Sequence, residues 1–356
     1  MIEKIPLGGG VKSVAKHYDP EDLLQIILKG LTPLGVERVP LSSAAGRTLA
    51  WDLTALRDRP VLPISPVNGY ALRAADLAGA RRHRPVTLAL ADHIGPGLAV
   101  PVYARQPLPV GCDAVVPRSD TDGGSPNLSV YCELWPYDNY IRPGTDYRSG
   151  DLLLPAETVL DAAALCLLSG AGYDDVPLRV RPQVEVLPGP GTGGDSLLYL
   201  TTLLTAWGVE LEGEEPPQFT VLLGPTASLA ESELICVPTV SPCGVLALSH
   251  CDRRPVLTLS DDPAELFKAA SLLVRPMLAY LTGSHALLPV PATGQLDASL
   301  PRSSPVRRFL PAHYDSGRVT PPATPLVDLP AANCLVDLPA GTPALPAGSQ
   351  VSVLLL

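Results

Sequence analysis

A chain of 356 residues with 46% hydrophobic and only 17% charged side chains, and a mean hydropathy of +0.21, is too apolar for a disordered protein and long enough for several cores. Its net charge of −10 and pI near 5.1 oppose binding to nucleic acid or anionic membranes. No apolar run approaches the roughly 18 residues of a membrane span, the first residues lack the apolar core of a signal peptide, and seven scattered cysteines form no Cys-x-x-Cys pair, so the expectation is a cytoplasmic protein with no nucleic-acid or membrane partner.

"YDPEDLLQIILKGL" reads as a helix, with Asp19 as its cap, Pro20 at its first position and Leu23, Leu24, Ile27 and Leu31 at helical spacing. From residue 40 to 140 helical periodicity is confined to the short "ALRAADLAG". The candidate strands "VTLALAD", "AVPVYA", "CDAVVP" and "LSVYCEL" predict a small β-barrel or sandwich. Next, Asp161 caps a helix that ends at Gly170 or Gly172, and two strands follow about Pro182. Beyond Val184 the order is strand "VEVL", glycine-rich loop, helix "SLLYLTTLLTAWG", then strands "VELE", "FTVLLG", "GVLALSH" and "PVLTLS", the pattern of an α/β sheet. Asp262 and Glu265 have capping-box spacing ahead of a helix that Pro276 should kink, and proline-punctuated short strands close the chain as a second β-module.

Three stretches invite functional readings. In "PISPVNGYALRAADL", Pro-Val-Asn-Gly predicts a tight turn in which Gly69 takes positive φ and Asn68 projects an amide. In "VEVLPGPGTGGDSLLYL", Gly189, Gly191 and Gly194 satisfy G-x-G-x-x-G between a strand and a helix, with Glu210 placed for a ribose. Against a dinucleotide, Pro188 and Pro190 remove N–H donors, and Asp195 would repel a diphosphate. His250 and Cys251 near Cys243 lack a fourth metal ligand at usual spacing, so incidental thiols are the favoured reading.

Taken together, several segments resemble the molybdopterin molybdenumtransferase family, the MoeA and gephyrin E-domain group. "SPVNGYALRAADL" is similar to its Ser-Ala-Met-Asp-Gly-Tyr-Ala-x-Arg segment, and "PLPVGCDAVVPRSDT" to its Pro-x-Gly-Ala-Asp-Ala-Val-Val segment. "IRPGTDYRSGDLLLP" resembles Arg-x-x-Gly-x-Asp-x-x-x-Gly-Asp, and "RPVLTLSDDPAELFKAASLLVRP" the Leu-Pro-Gly-Asn-Pro segment with its Val-Arg-Pro helix. The resemblance implies an α+β multidomain fold: a linker and dimerisation domain over 14–50 and 140–180, an inserted β-domain over 51–139, a shortened α/β domain over 181–283 and a C-terminal β-barrel over 284–356. It also implies a homodimer in molybdenum cofactor biosynthesis, with molybdopterin, molybdate and magnesium as the family's ligands and a molybdoenzyme as a further partner.

The residues implied for the cofactor site are Asn68, Arg105, Asp113, Asp195, Ser196, Asp261 and Asp262, with none assigned to catalysis or a metal. Several depart from the resemblance. Asn68 stands where the family has Asp, Ala104-Arg105-Gln106 replaces Thr-Gly-Ala, Cys243 and Gly244 supply no cation where a lysine is expected, and Ser260-Asp261-Asp262 adds negative charge. Asp195-Ser196 resembles Asp-Ser-Asn, while the Gly-Gly-x-Ser-x-Gly-Asp segment is absent. These losses favour a noncatalytic cofactor-binding chaperone or scaffold over an active molybdenumtransferase, with a dinucleotide-binding module as the remaining alternative.

Overall fold

The protein is described here from a computed structural model, which defines residues 18–124, 126–211, 213, 216–224, 233–236, 244–301, 305–324 and 326–356. Helix α1 (Pro20–Leu28) starts on Pro20, where a missing N–H is harmless. The expected Asp19 cap does not form: its side chain makes no bond to the helix, and Oδ1 lies 3.9 Å from the Arg307 guanidinium. The stripe of Leu23, Ile27 and Leu31 is buried in the core of the C-terminal half.

Strands β1 (Val36–Pro40) and β2 (Leu53–Thr54) lead into β3 (Gly69–Leu72), β4 (Val86–Leu90), β5 (Leu98–Val102), β6 (Ala114–Pro117) and β7 (Asn127–Val130). The last five form one sheet in the order β6-β3-β5-β4-β7. Two expectations change here. "ALRAADLAG" is not a helix, because Ala71 and Leu72 pair with β6, leaving one 3-10 turn at Ala74–Leu77. Gly69 is not at a turn tip with positive φ either. It opens β3, and a Cβ there would stand 2.0 Å from the carbonyl oxygen of Val116, so the glycine answers a close backbone approach.

The chain then returns through β8 (Leu152–Leu154), α2 (Ala162–Ala171) and β9 (Asp175–Arg179), with β8 antiparallel to β2 and β9 to β1. Asp161 caps α2 by accepting the Ala164 N–H at 2.8 Å, and Gly172 ends it at φ 103°. Leu49, Leu160, Leu168 and Leu178 form the core of this layer.

An α/β sheet follows: β10 (Val184–Pro188), α3 (Gly194–Ala206), β11 (Phe219–Leu223), β12 (Glu233–Cys236), β13 (Val245–Cys251) and β14 (Arg254–Leu259), in the order β10-β11-β14-β13-β12. The first three are parallel and the last two are antiparallel. "VELE" contributes only a bridge between Glu210 and Gln183, not a strand. Helices α4 (Pro263–Ala269) and α5 (Arg275–Thr282) flank a buried π-turn over Ala270–Val274, where the Arg275 N–H donates to the Ala270 carbonyl. Pro276 has no N–H for the regular ladder, and the wide turn absorbs the mismatch expected there as a kink. Asp262 caps α4, but Glu265 does not reach back to complete the box: the Asp262 N–H donates to Ser260 Oγ at 3.1 Å.

Finally β15 (Val290–Leu296), β16 (Arg308–Asp315), β17 (Arg318–Thr320), β18 (Cys334–Leu338) and β19 (Gln350–Leu355) close a five-stranded barrel, because β15 pairs with both β17 and β19. Leu296, Val319, Val336 and Val353 fill it. The fold is thus α+β and multidomain. No helix among the described residues is long and apolar enough to cross a membrane.

Candidate functional site

In an open α/β sheet, ligands bind beyond the carboxyl ends of the parallel strands. Here that edge collects the loop after β10, Gly224 after β11 and Ser260-Asp261-Asp262 after β14. Gly224 has φ 95°, and a Cβ on it would lie 2.9 Å from Thr192 Oγ1 and 3.9 Å from an Asp261 carboxylate oxygen, so these two side chains converge over the glycine. Ser196, buried in the first turn of α3, donates its hydroxyl to the Asp261 carbonyl at 2.5 Å and ties the helix to the β14 loop. Ser196, Asp261 and Asp262 therefore come together, and Asp195 stands exposed beside them. Thr192 and Gly224 are participants that the sequence reading missed. Their only signal was a run of small residues after one apolar strand and a glycine closing another.

The glycine loop offers a diphosphate fewer donors than the motif supposes. Pro188 and Pro190 have no N–H, the Gly189 N–H goes to the Leu223 carbonyl at 2.8 Å, and that of Thr192 to the Gly189 carbonyl at 3.1 Å. Glu210 sits at the other end of β10, its carbonyl accepting the Val184 N–H at 3.2 Å. A ribose-binding acid belongs at the carboxyl edge, so this geometry removes the support for a dinucleotide module.

Charge at the edge is predominantly negative. Asp195, Asp261, Asp262 and Glu265 face one described lysine, Lys268, which is buried and donates to Glu265 Oε1 at 2.6 Å. Gly244 has φ 72°, and a Cβ would fall 2.7 Å from the Glu265 carbonyl oxygen, so no lysine fits at that position. Cys243 lies outside the described residues. Among those residues no group of three or more His, Cys, Asp or Glu gathers where it could hold a metal ion.

Asn68, Arg105 and Asp113 belong to the β3–β7 sheet instead, and β3 separates them. Asn68 lies just before β3 and accepts the Ala104 N–H on Oδ1 at 2.9 Å, next to Arg105, which has φ 66° and an exposed side chain. Asp113 lies at the far end, roughly 10 Å along the strand, where Oδ1 accepts the Ala74 N–H at 2.6 Å. Both Oδ1 atoms are engaged with backbone, and Arg105 keeps an exposed side chain at the Asn68 end.

A discontinuous two-strand layer, an inserted β-sheet, an α/β sheet and a closed barrel, in this chain order, define a multidomain α+β architecture. Residues 18–172 match the MoeA N-terminal region (domain I and II). The chain is 24% identical to the molybdopterin molybdenumtransferase of Bacillus subtilis over 90% of each chain. It is 31% identical to molybdopterin molybdenumtransferase 2 of Mycobacterium tuberculosis, over 51% of this chain and 47% of the relative. Among solved structures, the molybdopterin biosynthesis MoeA protein of Pyrococcus horikoshii superposes with a TM-score of 0.76 at 22% identity, covering 96% of this chain and 99% of that one. Residues 18–172 thus carry a MoeA-type N-terminal region, and the chain as a whole is similar to molybdopterin molybdenumtransferases over most of its length.

Proposed function

We propose that the protein serves molybdenum cofactor biosynthesis in the cytoplasm as a noncatalytic MoeA-type homodimer, a scaffold or cofactor chaperone rather than a molybdenumtransferase. The observation that carries this reading is the carboxylate-lined edge of the parallel strands, where Asp195, Asp261, Asp262 and Glu265 outnumber Lys268, the one described lysine near them. Molybdate and the phosphates of adenylylated molybdopterin are anions. Two like charges about 4 Å apart at an effective dielectric near 20 repel by about 4 kcal/mol, which weakens binding by several powers of ten.

The test is incubation of the purified protein with adenylylated molybdopterin, molybdate and magnesium. No molybdenum transfer is expected, whereas turnover would overturn the proposal. The similarity to the Bacillus subtilis molybdenumtransferase over 90% of both chains supports the opposite reading, an active enzyme. That reading predicts micromolar binding of the adenylylated pterin, abolished by Arg105→Ala. Sedimentation at micromolar concentration tests the dimer, and a monomer would refute it.

A further inference from the structure

Residues 36–179, which hold the β1–β9 layer and the inserted sheet, follow α1 and precede β10, so they leave and rejoin the rest of the chain at one place. Both connections are ends of a single strand pair: Val36 lies opposite Arg179, and the Val180 N–H donates to the Gly35 carbonyl at 3.1 Å. The cores divide at the same point. Leu23 and Ile27 of α1 are buried with Val184, Phe219 and Leu278, whereas Val39, Leu49, Leu168 and Leu178 are buried with one another. Among the described residues, no cluster of buried apolar side chains has members on both sides of the junction. Where the two bodies face each other they border a cleft of about 350 Å³, with Gly46, Thr48 and Val159 on one wall and Trp207, Val209 and Leu287 on the other. That is room for many water molecules, and an interface without a large apolar contact leaves relative motion as the default.

We propose that this junction is a hinge: the β1–β9 layer, carrying the inserted sheet, swings against the α/β sheet about residues 34–36 and 179–182, and Glu157 with His285 is its latch. Hinges place the change in a few residues at element ends. Gly35 suits that role, because it has no side chain and a Cβ there would meet nothing within 4 Å. Leu34 is the fixed side of the pivot, its N–H donating to the Leu281 carbonyl at 2.8 Å and its own carbonyl accepting Arg179 Nη1 at 3.0 Å. Away from the pivot, Glu157 Oε2 lies 3.2 Å from His285 Nδ1, with the two side chains 41% and 76% exposed. Solvent screens such a pair, so the latch biases the swing without locking it. The motion opens or closes the cleft. Asn68 and Arg105 ride on the moving part while Asp195, Asp261 and Asp262 stay with the α/β sheet, so the swing also sets the distance between those two groups.

Double electron–electron resonance on the full chain tests the proposal, with spin labels carried by unnatural amino acids at two exposed positions, Leu152 on β8 and Leu326 in the barrel module. Leu198 on α3, also exposed, paired with Leu326 is the reference, because α3 and the barrel share one core. The 152–326 distance distribution should be broader than the 198–326 distribution and contain two populations. Glu157→Gln and His285→Ala should each shift those populations about two- to fivefold, the range for a screened ion pair. Neither residue is buried, so both variants should keep their circular dichroism. A 152–326 distribution no broader than the reference overturns the hinge, and populations unchanged in both variants overturn the latch.

Discussion

Arg307 and Glu21, 286 residues apart, meet through two hydrogen bonds of 3.0 and 3.1 Å. The same guanidinium grips Asp337 at 2.9 and 2.8 Å, so one arginine fastens the barrel to helix α1. Asp337 and Glu21 together hold its charge firmly on, with the Asp337 hydrogen bond the larger cause. Arg307→Ala should cost about 1.5–3 kcal/mol, the range for hydrogen bonds to charged groups, measured by urea denaturation. Arg307→Lys, which loses the planar fork, should recover only part of it.

Gly69→Ala should be among the most damaging single changes. Its Cβ would overlap the Val116 carbonyl oxygen at 2.0 Å, and backbone cannot swing aside as a flexible side chain does. A loss of about 3 kcal/mol or more is expected in thermal unfolding. Gly191→Ala, where nothing lies within 4 Å, should cost much less despite its φ of 84°.

Asp262 separates a structural from an electrostatic role. Asp262→Ala removes the bonds to the Ala264 and Glu265 N–H groups, at 3.0 and 2.9 Å, and should cost about 1 kcal/mol of stability. Asp262→Asn keeps a capping oxygen and should be near neutral. If negative charge is what repels the pterin phosphates, Asp261→Asn with Asp262→Asn should tighten binding of the adenylylated pterin by tenfold or more in calorimetry. An unchanged affinity would remove the electrostatic argument.

The cysteines give a pH prediction. Burial pushes the thiols of Cys112 and Cys334 up to about 11, so the folded chain holds their protons after an unfolded chain, near 9, has released them. Stability should therefore fall as pH rises between those values. Exposed Cys166 should be alkylated first at pH 8, with Cys112 and Cys334 protected until unfolding, as read by mass spectrometry.

What the sequence made legible was local chemistry. Asp161 and Gly172 bracket α2 because a side-chain cap and a left-handed residue are read from neighbours alone. The parallel strands were visible as apolar runs, and β15–β19 as short strands between prolines. Misreadings came where a distant partner decided: Ala71 and Leu72 follow β6 rather than their helical spacing, and Gly69 is required by Val116, 47 positions away. Of the candidate site, Ser196, Asp261 and Asp262 were named in advance, but Thr192 and Gly224 converge only once β10 and β11 lie side by side.

The return of the chain to its own beginning also sets a timetable for synthesis. Arg38 on β1 pairs with Asp175 on β9, 137 residues later. At about 5–20 residues per second, the ribosome needs roughly 7–27 s to deliver that partner. Throughout this interval the β3–β7 sheet can fold as it emerges, while β1 and β2 wait unpaired. Helix α1 waits longer still, for α5 and Arg307. The earliest-made segments are thus the last to be secured, so a nascent chain stalled before residue 175 would carry an ordered inserted sheet flanked by two open strands, a natural substrate for a ribosome-associated chaperone.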